Sequence, residues 1–145
     1  MQQNINLEER IRTLTIIYLA LGASMILSLS TFVFMVETGI AASYMGMEFF
    51  LRVLVIVIGI GGFGAGKFLY GMNAKKSKEL ADLSDKFNMY QTSCIIVWAM
   101  FEGPALIASG AYFITGDKLF IVFFSMIVIG YLFNKPSIPK FQQDF

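Results

Sequence analysis

Ile11–Val36 reads IRTLTIIYLALGASMILSLSTFVFMV, and after Arg12 no charged residue interrupts it. At 1.5 Å per residue the uncharged run exceeds the roughly 30 Å hydrocarbon core of a bilayer. It follows a dozen residues, Met1 to Arg12, in which Glu8 and Glu9 accompany Arg10 and Arg12. A secretory signal has a purely basic start, a shorter apolar run and a small-residue cleavage site, so this segment reads as a retained membrane span.

The rest of the chain repeats the pattern. Apolar stretches run from about Phe49 to Met72, from about Tyr90 to Thr115 and from Leu119 to Phe133. The last covers only about 22 Å, so Asp117, Lys118 and Asn134 are expected at its ends in the interface (spans 11–36, 49–72, 90–115 and 118–134). Of the 145 residues, 57% are hydrophobic and 14% charged, and mean hydropathy is +0.68. Soluble domains are about 25% charged, so the composition is that of a membrane protein. Four spans use about 80 residues and leave no room for a separate soluble domain. The expected fold is therefore all-α, a single transmembrane domain over 1–145 built as an antiparallel up-down bundle of four helices.

Absences exclude several chemistries. With no His, imidazole-held haem, His-built metal sites and His proton relays are ruled out. A single cysteine, Cys94, forbids an internal disulfide and reads as a small buried apolar residue. A net charge of +1 gives no basic field for nucleic acid. The sequence holds no nucleophile and base pair, no metal-ligand cluster and no acid dyad at one depth, so neither an enzyme nor a cofactor is expected.

The connections set orientation. Arg10, Arg12, Lys67, Lys75, Lys76, Lys78, Lys86, Lys135 and Lys140 fall on one side, against Arg52 and Lys118 on the other, which predicts both termini and the middle connection in the cytoplasm. Thr115-Gly116-Asp117-Lys118 is a tight turn between antiparallel neighbours. In the charged connection 73–89, Lys75/Glu79, Lys78/Asp82 and Asp82/Lys86 are opposite charges four apart, and Leu80, Leu83 and Phe87 share a face. Helical extensions of spans two and three are expected there, serving as a solvated connector or a docking surface. Pro136 and Pro139 end the last helix. On the outer side Glu37, Glu48 and Arg52 read as interfacial anchors, with Glu48 and Arg52 one turn apart.

Span two carries Gly59-Ile60-Gly61-Gly62-Phe63-Gly64-Ala65-Gly66. Glycine costs a helix about 1 kcal/mol per residue, and close helix approach is what explains so many. Gly62 and Gly66 form a GxxxG pair, with Gly61 and Ala65 repeating the spacing. A phosphate-loop reading of Gly61 to Lys67 fails for want of the spacing, the following Ser or Thr and a preceding strand.

Glu102 lies midway between Tyr90 and Ile114, near the bilayer midplane. Ionising a carboxyl there without a partner costs several kcal/mol, so a residue of this kind is expected neutral at rest and able to ionise when water or a cation approaches. Pro104 cannot donate to the Met100 carbonyl and Gly103 removes a side chain, so a free backbone acceptor is expected beside the carboxyl. Glu102 thus reads as a proton or monovalent cation carrier, or as a neutral Glu whose hydrogen bonds fix helix packing. Lys67 is expected to snorkel rather than pair with it. Tyr70, Thr92 and Ser93 are candidates for polar support from the cytoplasmic side, and Ser28, Ser30 and Thr31 offer hydroxyls at depth.

Gln91-Thr92-Ser93-Cys94-Ile95-Ile96-Val97-Trp98-Ala99-Met100-Phe101-Glu102 resembles the acidic helix of rotary ATPase proteolipid (c-type) subunits, where a Gln-Thr, an Ile-Ile and a small residue precede the ion-carrying Glu. The alternating Gly62, Gly64 and Gly66 resemble the helix before it. The resemblance is confined to spans two and three. It implies that Glu102 is the ion carrier and that the three glycines line tight inner packing. The chain also resembles small bacterial four-helix membrane proteins carrying Glu-Gly-Pro, which implies a bacterial cytoplasmic (inner) membrane. Two functions follow: proton or cation movement or sensing through Glu102 within a homo-oligomer or complex, or an accessory subunit packing on a larger membrane complex through Gly62 and Gly66.

Overall fold

A computed structural model of the chain describes residues 6–40 and 46–145. The first five residues of the charged N-terminal dozen and the middle of the first connection, 41–45, lie outside the described residues. The described chain is all helical, with α1 at Leu7–Glu37, α2 at Glu48–Ser77, α3 at Leu83–Thr115, α4 at Leu119–Leu132 and α5 at Ile138–Asp144. α1, α2 and α3 are long and apolar enough to cross a membrane, and α4 is shorter. These are the features of a multi-pass membrane protein.

The helix ends follow local chemistry. Asn6 caps α1 by accepting from the Glu9 N–H at 3.4 Å, with Glu8 and Glu9 in the first turn favourable to the helix dipole. Asp82 caps α3 through the Ser84 N–H. Gly116 ends α3 in the left-handed conformation, φ 69°, which a side chain would disfavour.

α3 is the hub. It packs against α1, α2 and α4, whereas α1 and α2 barely touch. Half of its most apolar window is buried, against 6% for α1. Arg10 meets Asn88, Ser24 meets Glu102 and Phe32 meets Phe113, so α1 and α3 run in the same direction. Gly66 against Val97 and Asn73 against Ser93 show that α2 runs opposite to α3. The order is up-down-up-down. Outward faces carry large apolar side chains, among them Leu19, Phe49, Ile60 and Phe68, a surface suited to lipid rather than water.

Three expectations need correction. The connection between α2 and α3 extends both helices, but the chain breaks at residues 78–82, so Lys75/Glu79 and Lys78/Asp82 fall on a turn instead of a helix face, while Asp82/Lys86 spans the capped first turn of α3 without forming an ion pair. Phe87 is buried, while Leu83 is exposed. The tail beyond Asn134 does not simply end the last helix. Ser137 caps α5, Pro139 sits in its first turn, and Phe141 and Phe145 fold back against Phe87, Tyr90 and Tyr70. At the end of the bundle away from the chain termini Arg52 reaches across to Asp117 at 2.7 Å, and Glu48 accepts from the Gly46 N–H instead of pairing with Arg52.

Candidate functional site

The α2–α3 interface fixes the position of the acidic helix. An added Cβ on Gly62 would lie 3.0 Å from the Met100 carbonyl oxygen, and one on Gly66 would lie 3.4 Å from the Met100 side chain. The glycine pair therefore faces α3 within the same chain. Gly61 meets nothing within 4 Å and Ala65 is exposed, so the second small pair takes no part in this contact.

This interface also decides the fate of the carbonyl that Pro104 leaves free. α3 runs through Pro104 unbroken and buries it. The Met100 oxygen lies against Gly62, where a side chain would not fit. Glu102, two residues on, points instead toward α1. The expected pairing of carboxyl and free carbonyl in one ligand set is thus split between two neighbours of α3.

Glu102 is half-buried in the α1–α3 seam. Its Oε1 lies 2.8 Å from the Ser24 hydroxyl, and the same hydroxyl lies 2.7 Å from the Leu21 carbonyl. Ser24 has one hydrogen and two acceptor neighbours. That hydrogen can be turned to either acceptor, so Ser24 ties the carboxyl to the α1 backbone. No sequence signal singled out Ser24 from the other hydroxyls of α1. Thr31 turns back to the Leu27 carbonyl, and no contact to Glu102 is made by Ser28 or Ser30.

Toward the end of the bundle that holds the chain termini, aromatic rings close the seam. Tyr18 stacks on Tyr131 at 4.5 Å and leans on Trp98 at 5.4 Å, and Phe101 meets Tyr131 edge-on. Every polar handle is turned onto backbone: the Tyr131 hydroxyl donates to the Tyr18 carbonyl, and Trp98 Nε1 donates to the Asn134 carbonyl at 2.9 Å. Gly22 and Gly130 give Tyr131 and Phe101 their room, since a Cβ at Gly130 would stand 2.9 Å from the Phe101 ring.

The other predicted support residues lie elsewhere. Lys67 donates to Asn134 Oδ1 at 3.0 Å and does not pair with Glu102; among the described residues the ion pair is Arg52–Asp117. Thr92 is exposed and bonds the Asn88 carbonyl. Ser93 accepts from Asn73 and lies about 13 Å along the helix from Glu102. Tyr70 donates to Asp144 of α5 at 2.7 Å. Lys67, Tyr70 and Ser93 with their partners form a second polar layer near α5, which the linear sequence conceals because those partners are 20 to 74 positions apart. Cys94 is buried, as its apolar setting predicts. No protein-family model, curated protein or solved structure matches the chain.

Proposed function

We propose that this is a small polytopic membrane protein in which Glu102 carries a proton through the α1–α3 seam. The carrying observation is the Glu102–Ser24–Leu21 line, one hydroxyl between a carboxyl and a backbone carbonyl at 2.8 and 2.7 Å. A proton fits this site, because a carboxyl takes one up and gives it back with no further ligand, while Ser24, tied to the Leu21 carbonyl, orients it. A dehydrated metal cation needs a shell of several oxygens. The seam supplies few, and the Met100 carbonyl is turned to α2. The aromatic layer below supports a closed resting state in which the proton reaches Glu102 only when Tyr18 and Tyr131 move apart. The resemblance of Gln91–Glu102 to the proteolipid acidic helix supports the same role for the carboxyl.

The test is reconstitution in liposomes holding a pH-sensitive dye. Wild type dissipates an imposed pH gradient, and Glu102→Gln, which keeps the hydrogen bond to Ser24 but cannot ionise, does not. Equal proton movement by Glu102→Gln refutes the proposal. The accessory-subunit reading keeps one support, the outward small face of Gly61, Gly64 and Ala65 on α2. Under that reading wild type moves no protons, and the protein co-purifies with a larger partner.

A further inference from the structure

Arg10 lies at the end of the α1–α3 seam that faces the termini, half-buried, with its guanidinium 5.4 Å from the Phe87 ring centre and 3.5 Å from Asn88 Oδ1. It has no carboxylate partner among the described residues. The α1 positions one turn away, Asn6, Leu7, Thr13 and Leu14, carry no acid, and Glu8, Glu9 and the exposed Asp85 form no ion pair with it. Beside it opens a crevice of about 260 Å³ lined by Arg10, Thr13, Leu14, Asn88 and Gln91. The side-chain N–H groups of Asn88 and Gln91 have no acceptor among the described residues. The crevice therefore presents one cation and two amide donors and no anion, the set that binds a phosphate oxygen.

What continues from the crevice identifies the phosphate. On α3 the positions Thr92, Ile95 and Ala99 follow Asn88 at helical spacing and are exposed, and a Cβ on Gly103 would meet nothing within 4 Å. α1 and α2 flank this strip without packing on each other. From Asn88 to Ala99 the strip runs about 16 Å, close to the roughly 15 Å depth of one hydrocarbon leaflet. We propose that Arg10, Asn88 and Gln91 hold the phosphate of an anionic phospholipid whose acyl chain lies along Thr92, Ile95 and Ala99. A free phosphate ion uses only the crevice, and a zwitterionic lipid brings its own cation to the site and gains less from Arg10.

The experiment uses the full chain in mild detergent, with phosphatidylglycerol or phosphatidylcholine added and bound lipid read by native mass spectrometry. One phosphatidylglycerol per chain is expected, retained about fivefold over phosphatidylcholine, the preference one interfacial Arg confers. Arg10→Gln removes the preference. Asn88→Asp, a surface change that places a carboxylate against Arg10, removes it while leaving helix content and melting unchanged. Ala99→Leu, which fills the strip, weakens retention of both lipids. Arg12→Gln, outside the crevice, changes nothing. Equal retention of the two lipids by wild type, or an undiminished preference in Asn88→Asp, overturns the proposal. Displacement of the lipid by excess inorganic phosphate also overturns it, in favour of a free-phosphate site.

Discussion

Adding one methyl group to either of two neighbouring glycines, Gly61 or Gly62, should move stability in opposite directions. Alanine is favoured over glycine in a helix by about 1 kcal/mol. At Gly61 the new Cβ meets nothing within 4 Å, so that gain is kept. At Gly62 the Cβ arrives 3.0 Å from the Met100 carbonyl oxygen, which is backbone and cannot swing aside. α2 must back away from α3 by a few tenths of an ångström. Overpacking of this kind costs about 1–3 kcal/mol. Set against the helix gain, Gly62→Ala should lose up to about 2 kcal/mol, while Gly61→Ala gains about 1 kcal/mol. Gly66→Ala meets the flexible Met100 side chain at 3.4 Å and should fall between them. Reversible unfolding in sodium dodecyl sulfate, followed by circular dichroism, reads all three. A Gly62→Ala protein as stable as Gly61→Ala would refute the α2–α3 register from which this interface is argued.

Two further outcomes concern the ends of the bundle. The Leu119 N–H and the Arg52 guanidinium hold the Asp117 carboxyl below the usual carboxylate range. Because the folded value is lowered, the stabilisation is present above the ordinary Asp value of about 4 and fades as pH falls through the lowered one. Asp117→Asn should therefore cost no more than about 1 kcal/mol at neutral pH, the scale of an exposed pair, and the difference from wild type should vanish in strong acid; a pH-independent difference in melting would contradict it. Phe141 is buried under Phe87 and Tyr90, so Phe141→Ala should release α5 and speed proteolysis within residues 134–145, with α1 to α4 still folded. An unchanged cleavage rate would show that α5 is held by something other than its aromatic face.

The legible part of the fold was what periodicity and hydropathy carry. The long apolar runs, the tight turn at Gly116 and the close approach at Gly62 and Gly66 each follow from residues near one another in sequence. α5 escaped because two prolines in ten residues read as termination, whereas Pro139 in the first turn of a helix costs nothing and Ser137 supplies the cap. The charge pairs of the connection misled for the opposite reason: spacing of four implies contact only if the helix continues, and the chain turns at residues 78–82. Glu102 stood out in the sequence from its place midway along an apolar run. Its partner did not, because hydroxyls recur along α1 and only the rotation of α1 against α3 selects Ser24.

The sequence by itself determined that apolar helices dominate the chain and that one carboxyl sits in the middle of one of them, since both are properties of runs and positions. The tertiary structure decided that α3 is the hub, that Met100 and Glu102 face different neighbours, that Arg52 pairs with Asp117 and that Arg10 has no counter-ion among the described residues. Those facts depend on how helices rotate about their axes and slide past one another. Packing of side chains distant in sequence sets that rotation, and no local pattern encodes it.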